Sequence, residues 1–267
     1  MNTLRKQNYS TLEESLKEFR SISLKEMNKA RLMNRLDNKF LLNLSQLEEL
    51  LPELQKHYDV LEIKGSPMQN YTSYYYDTKD FDMYKDHHNR RANRYKVRQR
   101  VYNNSGDSFF EIKCKNNKGF TNKVRIETEK AHSHIPSKYF DFISNNTPYH
   151  ALQLRRVMEN NFDRFTLTNH KRNQRITVDT GITCWYGNKP LELPNLVVAE
   201  IKSTRDDIDK TIFNLFQQNG IHAGSMSKYS LGMAMLNPDL KSNLFKQRIH
   251  TLNKICNDNE YLDRRVG

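Results

Sequence analysis

Basic side chains recur at every second position in short segments of the sequence, a spacing that suits the binding of phosphate. In 94–102 the alternate positions are Arg94, Lys96, Arg98 and Arg100. Because successive side chains of a β-strand point to opposite faces, these four would share one face. Arginine and lysine provide charged donors that match phosphate oxygens. The segment therefore predicts a strand with one anion-binding face.

The same alternation of charged and apolar residues recurs in five further segments. For any one of them, an open antiparallel sheet with its polar face in water is the simpler explanation. For the set, the charge is mostly of one sign, whereas solvated faces usually mix signs. Aligned like charges also repel one another unless an anion lies between them. The further residues on this predicted face are Asp37, Lys39, Glu111, Lys113, Lys115, Lys123, Arg125, Glu127, Arg175, Thr177, Asp179, Glu200 and Lys202.

The elements that would position these residues are mainly short strands. The helices do not alternate regularly with them, so a parallel doubly wound sheet is not expected. We predict an α+β fold in which antiparallel strands close into a barrel, or tunnel, with a polar interior and helices covering the apolar outer faces. Strands are predicted at 35–42, 71–77, 94–102, 108–115, 121–128, 162–168, 174–180 and 195–203, and helices at 10–31, 45–58, 206–219, 227–236 and 240–256.

The predicted helix Ser45–Tyr58 carries two local signals. Ser45 with Glu48 three residues later matches a capping box. Pro52 lies inside the segment and is predicted to kink or split the helix.

Composition indicates a polyanionic partner. The 267 residues include 43 Lys+Arg and 31 Asp+Glu, which gives a formal net charge of +12. Nucleic acid, an anionic membrane and a phosphate ligand all fit such a charge, and so does a basic surface without a specific partner.

The cysteines Cys114, Cys184 and Cys256 lack zinc-ligand spacing and are odd in number, which argues against a disulfide framework. With no signal peptide and no apolar run of membrane-spanning length, a cytoplasmic protein is predicted.

Other candidate sites are weaker. The histidine pairs His87–His88 and His132–His134 have no Cys or Asp at ligand spacing, so a structural or solvent-facing role is preferred to a metal site. Trp185 is expected to pack against a strand end rather than to stack on a base, which disfavours nucleic acid as the partner.

Nine short motifs, in order, resemble one family. Together they are similar to the vacuolar transporter chaperone (VTC) domain, the catalytic module of polyphosphate polymerases in the triphosphate tunnel superfamily. On this basis the chain divides into an N-terminal helical extension (1–32), a VTC-like tunnel domain (33–236) and a C-terminal helix with a tail (237–267). The motifs are RLDNKF (35–40), YTSYYYDT (71–78), RYKVRQRVY (94–102), FFEIKCK (109–115), NKVR (122–125), FDR (162–164), RITVD (175–179), VVAEIKS (197–203) and SKYSLG (227–232).

The resemblance implies an antiparallel tunnel that transfers the γ-phosphate of ATP to a growing polyphosphate chain, assisted by Mg²⁺ or Mn²⁺. It implies metal binding by Glu200, with Asp37 as a second ligand, and contacts of Arg98, Arg100 and Lys202 with the nucleotide. The full set of phosphate-contacting positions that it implies is Lys39, Arg98, Arg100, Lys113, Lys123, Arg164, Arg175, Lys202 and Lys228.

Three positions depart from the family pattern. Asp37 stands where the family usually has Glu, Ser225 where it often has Lys, and Phe162 where an aromatic hydroxyl is common. These changes bear on rate and substrate choice more than on phosphate binding.

Three functions remain open at this point. The first is an ATP-dependent polyphosphate polymerase, which the motif set favours. The second is a hydrolase of triphosphates on the same fold, and the third is a module that binds polyphosphate or nucleic acid without catalysis. Polymerases of this family can also need a membrane-embedded partner, and this sequence contains no membrane-spanning segment of its own.

Overall fold

The computed structural model describes residues 11–28, 35–118, 120–129, 132–204, 208–224 and 226–257. It confirms an α+β fold built around a large, mainly antiparallel sheet. Strands β5 and β6 have the predicted bounds, whereas β8 and β9 are longer than predicted and β1, β3 and β10 were not predicted. The strands are β1 (Ser21–Ile22), β2 (Arg35–Asn43), β3 (Tyr58–Leu61), β4 (Gln69–Asp77), β5 (Arg94–Tyr102), β6 (Ser108–Lys115), β7 (Thr121–Glu127), β8 (Arg155–Asn169), β9 (Gln174–Tyr186), β10 (Lys189–Leu193) and β11 (Leu196–Thr204).

The helices lie mostly between the strands and at the two ends of the described chain. Short 3₁₀ turns precede three of the elements. The helices are α1 (residues 11–17), α2 (Leu24–Asn28), α3 (Leu44–Gln55), α4 (Asp82–His88), α5 (Phe140–Asn146), α6 (Thr211–Gln218), α7 (Lys228–Leu236) and α8 (Lys246–Asn257), with 3₁₀ turns at Ser137–Tyr139, Ala151–Gln153 and Asn243–Phe245. No helix among them is long and apolar enough to cross a membrane.

The main path of the sheet runs β2-β11-β9-β8-β4-β5-β6-β7, with β10 beside β9, β3 beside β8 and β1 parallel to β3. In a flat sheet, β11 and β6 would lie five strand spacings apart, roughly 24 Å. Yet the carboxylate of Glu200 on β11 is close enough to act on Lys113 of β6. Burial lowers the pKa of Lys113, and the negative charge of Glu200 partly opposes that shift. The two side chains therefore face each other across a strongly curved sheet. We call the concave surface that carries them the inner face.

The predicted closure of the barrel is wrong for the described residues, because no ladder joins β2 to β7. The outer edge of β2 is already occupied. The Gly224 N–H donates to the carbonyl oxygen of Lys39 at 2.8 Å, and Ala223 forms an isolated bridge with Phe40. A Cβ at Gly224 would lie 3.3 Å from Leu41 Cγ, so this close approach suits glycine.

The predicted helix at 10–31 is interrupted in its described part. Ser21 and Ile22 pair in parallel with Val60 and Leu61 of β3. Arg20 donates from Nε and Nη2 to the two carboxylate oxygens of the buried Asp59, each at 2.7 Å. These tertiary contacts outweigh local helix propensity. Residues 10 and 29–31 of the prediction lie outside the described residues.

Helix α3 begins earlier than predicted and ends before Tyr58. The predicted capping box of Ser45 and Glu48 is wrong: Asn43 Oδ1 accepts from the Gln46 N–H at 2.8 Å, and Gln46 Oε1 accepts from the Asn43 N–H at 3.0 Å. Pro52 lies within the helix without splitting it. The sequence signal for capping is therefore present but lies two residues upstream.

Apolar residues form clusters on both faces of the sheet. On the outer face, α1, α3 and α6 pack on one half, and α5 packs on the half that contains β5 and β6. At one end of the inner face, α7 packs against Phe162, Ile182, Cys184 and Val198. The prediction that apolar faces point only outward is therefore wrong at this end, where α7, apolar on nearly every side, fills the concave surface.

The proposed domain boundaries stay a prediction. Residues 1–10, 29–34 and 258–267, which include parts of the predicted extension and tail, lie outside the described residues. Residues 206–207 of the predicted helix 206–219 also lie outside them, and the described helix α6 begins at Thr211.

Candidate phosphate-binding site

Several carboxylates of the inner face are each held by two basic side chains from different elements. Three such groups exist among the described residues. They are Glu200 with Lys39 and Lys202, Glu111 with Arg98 and Lys123, and Asp179 with Arg164 and Lys228. In each group the cations exceed the carboxylate in charge, so the inner face keeps a net positive charge even where its residues are paired.

Glu200 on β11 lies between lysines of the inner face. Its Oε1 accepts a hydrogen bond from Lys39 Nζ, its cross-strand neighbour on β2, and its Oε2 lies 3.0 Å from Lys202 Nζ. Burial would raise the pKa of Glu200, but the two lysines outweigh burial and hold that pKa well below its usual range. Glu200 is therefore ionised at any physiological pH.

Glu111 on β6 is completely buried. Its cross-strand neighbour Arg98 donates to Oε2 from Nε at 2.7 Å and from Nη2 at 2.5 Å, and Lys123 Nζ donates to Oε1. Burial opposes ionisation of Glu111, yet Arg98, Arg100 and Lys123 together hold its pKa well below the usual range. This carboxylate fixes two basic side chains in place.

Asp179 on β9 connects the sheet to helix α7. Arg164 on β8 binds it in a bidentate arrangement, with Nε 2.5 Å from Oδ1 and Nη2 2.8 Å from Oδ2. Lys228, in the first turn of α7, also donates to Oδ2. The N-cap residue Ser227 starts the helix by accepting a hydrogen bond from the Ser230 N–H at 3.3 Å. The start of α7 therefore places Lys228 on the inner face.

Arg100 has no carboxylate partner among the described residues. It is 8% exposed, and its Nε lies 3.4 Å from Ser73 Oγ. Its guanidinium lies 5.4 Å from the ring centre of Tyr71 and 5.6 Å from that of Phe162. Burial, together with the positive charge of Arg98, lowers the pKa of Arg100 to about 10. A buried cation in this state would be stabilised by an added anion.

Lysines lie directly opposite one another on three adjacent strands. Lys96 on β5 is paired in register with Lys113 on β6, and Lys113 with Lys123 on β7. Like charges in this arrangement destabilise a sheet. Burial and the nearby cation Arg98 lower the pKa of Lys96 to about 7 and that of Lys113 to about 6. A bound polyanion would relieve this repulsion and restore the charge of both lysines.

Arg175 and Asp37 lie on either side of Lys202 in the sheet. Both are its cross-strand neighbours, on β9 and β2 respectively. Arg175 Nη2 lies 3.4 Å from the carbonyl oxygen of Met27, while Asp37 is exposed. The structure thus places these two predicted residues near one end of the inner face, beside α2.

The residues of the inner face fit a metal held mainly by substrate. No group of three or more His, Cys, Asp or Glu side chains that could hold a metal ion exists in the described part of the chain. Glu200 and Asp37 lie on neighbouring strands, two positions apart in register. Mg²⁺ commonly takes only one or two protein carboxylates and completes its coordination with phosphate oxygens and water. The donor set therefore suits Mg²⁺ or Mn²⁺ bound together with a phosphate ligand.

The contacts between aromatic rings and the cations of the site were not predicted from the sequence. Phe162, which was identified only as a departure from the family pattern, is completely buried. It lies 4.3 Å from Lys228 Nζ and 5.3 Å from the Arg164 guanidinium, each measured to its ring centre. Tyr71 stacks on it at 5.3 Å. The ring supports cations through cation–π contacts, which require no hydroxyl. Ser225, the other departure near α7, lies outside the described residues.

A sequence model of the VTC domain matches residues 34–237. The chain belongs to the VTC domain family. The matched region contains every strand of the inner face and helix α7. Comparison with curated proteins finds no match.

Several solved structures resemble this VTC domain at a distance. One is HpAC1 from Hippeastrum, described as having a dominant triphosphatase activity, with 13% identity, a TM-score of 0.48 and coverage of 79% of this chain and 99% of that one. Another is a candidate adenylate cyclase from Vibrio parahaemolyticus, with 12% identity, a TM-score of 0.46 and coverage of 76% and 99%. PH1819 from Pyrococcus horikoshii OT3 has 13% identity, a TM-score of 0.43 and coverage of 81% and 99%. The family assignment depends on the sequence match alone.

Proposed function

We propose that this VTC domain transfers the γ-phosphate of ATP to the end of a polyphosphate chain on the inner face. The observation that carries the proposal is the excess of positive charge on that concave surface. Glu200, Glu111 and Asp179 are each already held by two basic side chains, and Arg100 and Lys113 add further charge. Such an excess is costly without a counter-ion and favourable when a polyanion is bound.

The reaction needs positioning and charge neutralisation more than covalent chemistry. A terminal oxygen of the acceptor chain attacks the γ-phosphorus of ATP, the bond from that phosphorus to the β–γ bridging oxygen breaks, and ADP leaves with the bond electrons. The acceptor oxygen is already anionic, so no protein base is required. The chain grows by one phosphate.

The residues of the inner face would hold both reactants. Arg98, Arg100 and Lys202 would contact the nucleotide phosphates, with Arg98 and Lys202 preoriented by Glu111 and Glu200. The remaining cations would position the acceptor chain and neutralise the charge that develops during transfer. These further cations are Lys39, Lys113, Lys123, Arg164, Arg175 and Lys228.

Glu200 and Asp37 would hold the divalent ion, which when bound supplies additional neutralisation of phosphate charge. Because both oxygens of Glu200 contact lysines, binding of phosphate would also have to draw those lysines toward the ligand.

Product analysis tests the proposal. The protein is incubated with ATP, Mn²⁺ and a short polyphosphate primer, and the products are separated by size. Long-chain polyphosphate with ADP is expected. Free phosphate without polymer would instead support a triphosphate hydrolase, and tight polyphosphate binding without turnover would support a non-catalytic binding module.

Arg100→Gln is the sharper test of the site. A double change of Arg98 and Arg100 to Ala would also disturb the fold, because removing Arg98 leaves the buried Glu111 with only one of its two partners. Arg100 forms no ion pair among the described residues and acts on Glu111 only at a distance, so Arg100→Gln should lower turnover strongly and change the melting temperature little.

A further inference from the structure

A basic cavity adjoins the inner face. Its volume is about 560 Å³, and it lies between the end of α4, the beginning of β5 and the beginning of α8. We call this cavity the vestibule. Its basic lining residues are Lys39, Arg90, Arg94, Lys96, Lys115 and Arg248.

The vestibule differs from the inner face in how its charge is balanced. None of the described residues that line it carries a carboxylate. On β5 and β6, Arg98 lies opposite Glu111, whereas Arg94 lies opposite Lys115, nearer the vestibule. Like charges placed opposite each other destabilise a sheet, and among the described residues the cross-strand pair at the vestibule end has no carboxylate to balance it.

The positive charges of the vestibule converge on one imidazole. The pKa of His87 is lowered to about 3 by burial and then by Lys96, Arg94, Arg248 and Lys115. His87 is therefore neutral and adds no charge of its own. Arg94, Lys96, Lys115, Arg248 and His87 all line the cavity, so residues from α4, α8, β5 and β6 face the same small volume.

The walls of the vestibule are held in place by local contacts. His88 Nε2 accepts a hydrogen bond from the Leu244 N–H at 3.3 Å, and its ring lies 5.1 Å from that of Phe245. Lys96 Nζ donates to Ser227 Oγ, the N-cap of α7, at 3.0 Å. These contacts join α4 to the 3₁₀ turn before α8, and β5 to the start of α7, around a preformed space.

We propose that the vestibule is a second anion-binding site that takes the phosphates of a polyphosphate chain beyond those held on the inner face. Lys39 and Lys96 belong to both surfaces, so a chain bound on the inner face can continue into the vestibule without leaving a basic environment. The proposal rests on the proposed function for the identity of the ligand. It makes affinity depend on chain length, because a longer chain has more phosphates with which to reach the vestibule from the inner face.

Equilibrium binding without ATP or metal tests the vestibule separately from catalysis. Affinities for tripolyphosphate and for long-chain polyphosphate are measured with Arg94→Gln/Arg248→Gln. The matched control, Arg91→Gln/Lys254→Gln, removes the same charge from exposed residues outside the vestibule lining. The vestibule variant should bind the long chain about tenfold more weakly, given the usual strength of charged hydrogen bonds, with tripolyphosphate little affected. The control should bind both ligands like the unmodified protein.

Several results would overturn the proposal. They are an unchanged affinity for the long chain, equal losses in both double variants, or an equal loss for both ligands in the vestibule variant. Arg248→Gln alone, at an exposed position of α8, should give a smaller loss in the same direction and guards against misfolding of the double variant. Binding to anionic lipid vesicles is measured as well. If the protein binds vesicles and its affinity for polyphosphate does not depend on chain length, the ligand of the vestibule is a lipid headgroup instead.

The outcome is distinguishable from failure of the proposed function. If the protein makes no polyphosphate but shows the length-dependent loss, the vestibule stands as a binding site and the transferase proposal falls. If polymer is made and the loss is absent, only the vestibule proposal falls.

Discussion

At the scale of single residues, Lys113 and Lys96 are the two lysines of the site whose pKa values are lowered most. Burial and nearby cations lower their pKa values to about 6 and about 7. A bound phosphate would favour the charged forms and raise both pKa values, so binding above neutral pH must be accompanied by proton uptake.

Affinity for tripolyphosphate should therefore fall as the pH rises above 7. Lys113→Arg, which stays charged, should flatten this dependence. The comparison is made by calorimetry in buffers of different ionisation enthalpy, and titration of the ligand itself cancels because it is the same for both proteins. Parallel pH profiles for the two proteins would show that Lys113 does not titrate on binding.

Asp179 competes with an incoming anion for the same cations. Asp179→Asn leaves the buried Arg164 and Lys228 without their carboxylate, so unfolding free energy should drop by about 3 kcal/mol. Affinity for tripolyphosphate should rise, because two cations become available to it.

Urea denaturation with and without tripolyphosphate measures both effects of Asp179→Asn. Asp239→Asn, at an exposed position, serves as the control and should change neither quantity. A lower affinity in Asp179→Asn would mean that the carboxylate is needed to orient the cations rather than competing with phosphate.

The sequence predicted the charged face but not its pairing. Alternation along β5 is a local property, so the shared face of Arg98 and Arg100 follows from the spacing alone. The contact of Lys228 with Asp179 depends on where α7 enters the curved sheet, which no local pattern encodes. The contact of Phe162 with Lys228 likewise depends on where α7 packs.

At the scale of elements, Asp77 holds two helices against the end of β4. As predicted from the sequence, this residue ends its strand. Its carboxylate accepts hydrogen bonds from the backbone N–H groups of Met83 and Tyr84 in α4, both at 3.0 Å, and from Tyr229 Oη of α7 at 2.5 Å. Because Tyr229 follows Lys228 in α7, this contact also helps to position a basic residue of the site.

Tyr229→Phe should lower the free energy of unfolding by about 2 kcal/mol, since it removes a hydrogen bond to a buried carboxylate. Tyr84→Phe is the matched control. Its hydroxyl donates to the neutral carbonyl oxygen of Lys241 at 2.9 Å, so the loss should be about 1 kcal/mol. Chemical denaturation measures both values. Equal losses would show that the Asp77 carboxylate gives no special strength to this connection.

Strands were predicted well where apolar and polar residues alternate over many positions. They were predicted poorly where a strand pairs with its neighbour over only a few residues. The bounds of β5 and β6 follow from sustained period-2 patterns. By contrast, β1 is two residues long and exists only because it pairs with β3. The interruption of the helix predicted at 10–31 has the same cause, since partners distant in sequence decide it.

At the scale of the whole molecule, the curved sheet gathers basic side chains that are far apart in sequence around one concave surface. Their repulsion is offset only in part by Glu200, Glu111 and Asp179. The sequence predicted this basic interior correctly but predicted a closed barrel. The segment at Ala223 and Gly224 on the edge of β2 explains the difference.

Polyanion binding should therefore stabilise the whole fold. At a tripolyphosphate concentration about 100 times its dissociation constant, the gain in unfolding free energy is about 2.7 kcal/mol. Thermal melts should show a rise in melting temperature that shrinks with added salt and is much reduced in Arg100→Gln. A rise of equal size in that variant would place the binding site elsewhere.

The most direct measurement is a crystal structure of the protein with a non-hydrolysable ATP analogue and Mn²⁺, in which anomalous scattering locates the metal. We expect the triphosphate between Arg98, Arg100 and Lys202, with Mn²⁺ bound to its oxygens and to Glu200. Phosphates bound on the outer surface of the sheet, or Mn²⁺ remote from Glu200, would contradict the assignment of the inner face as the site of phosphate transfer.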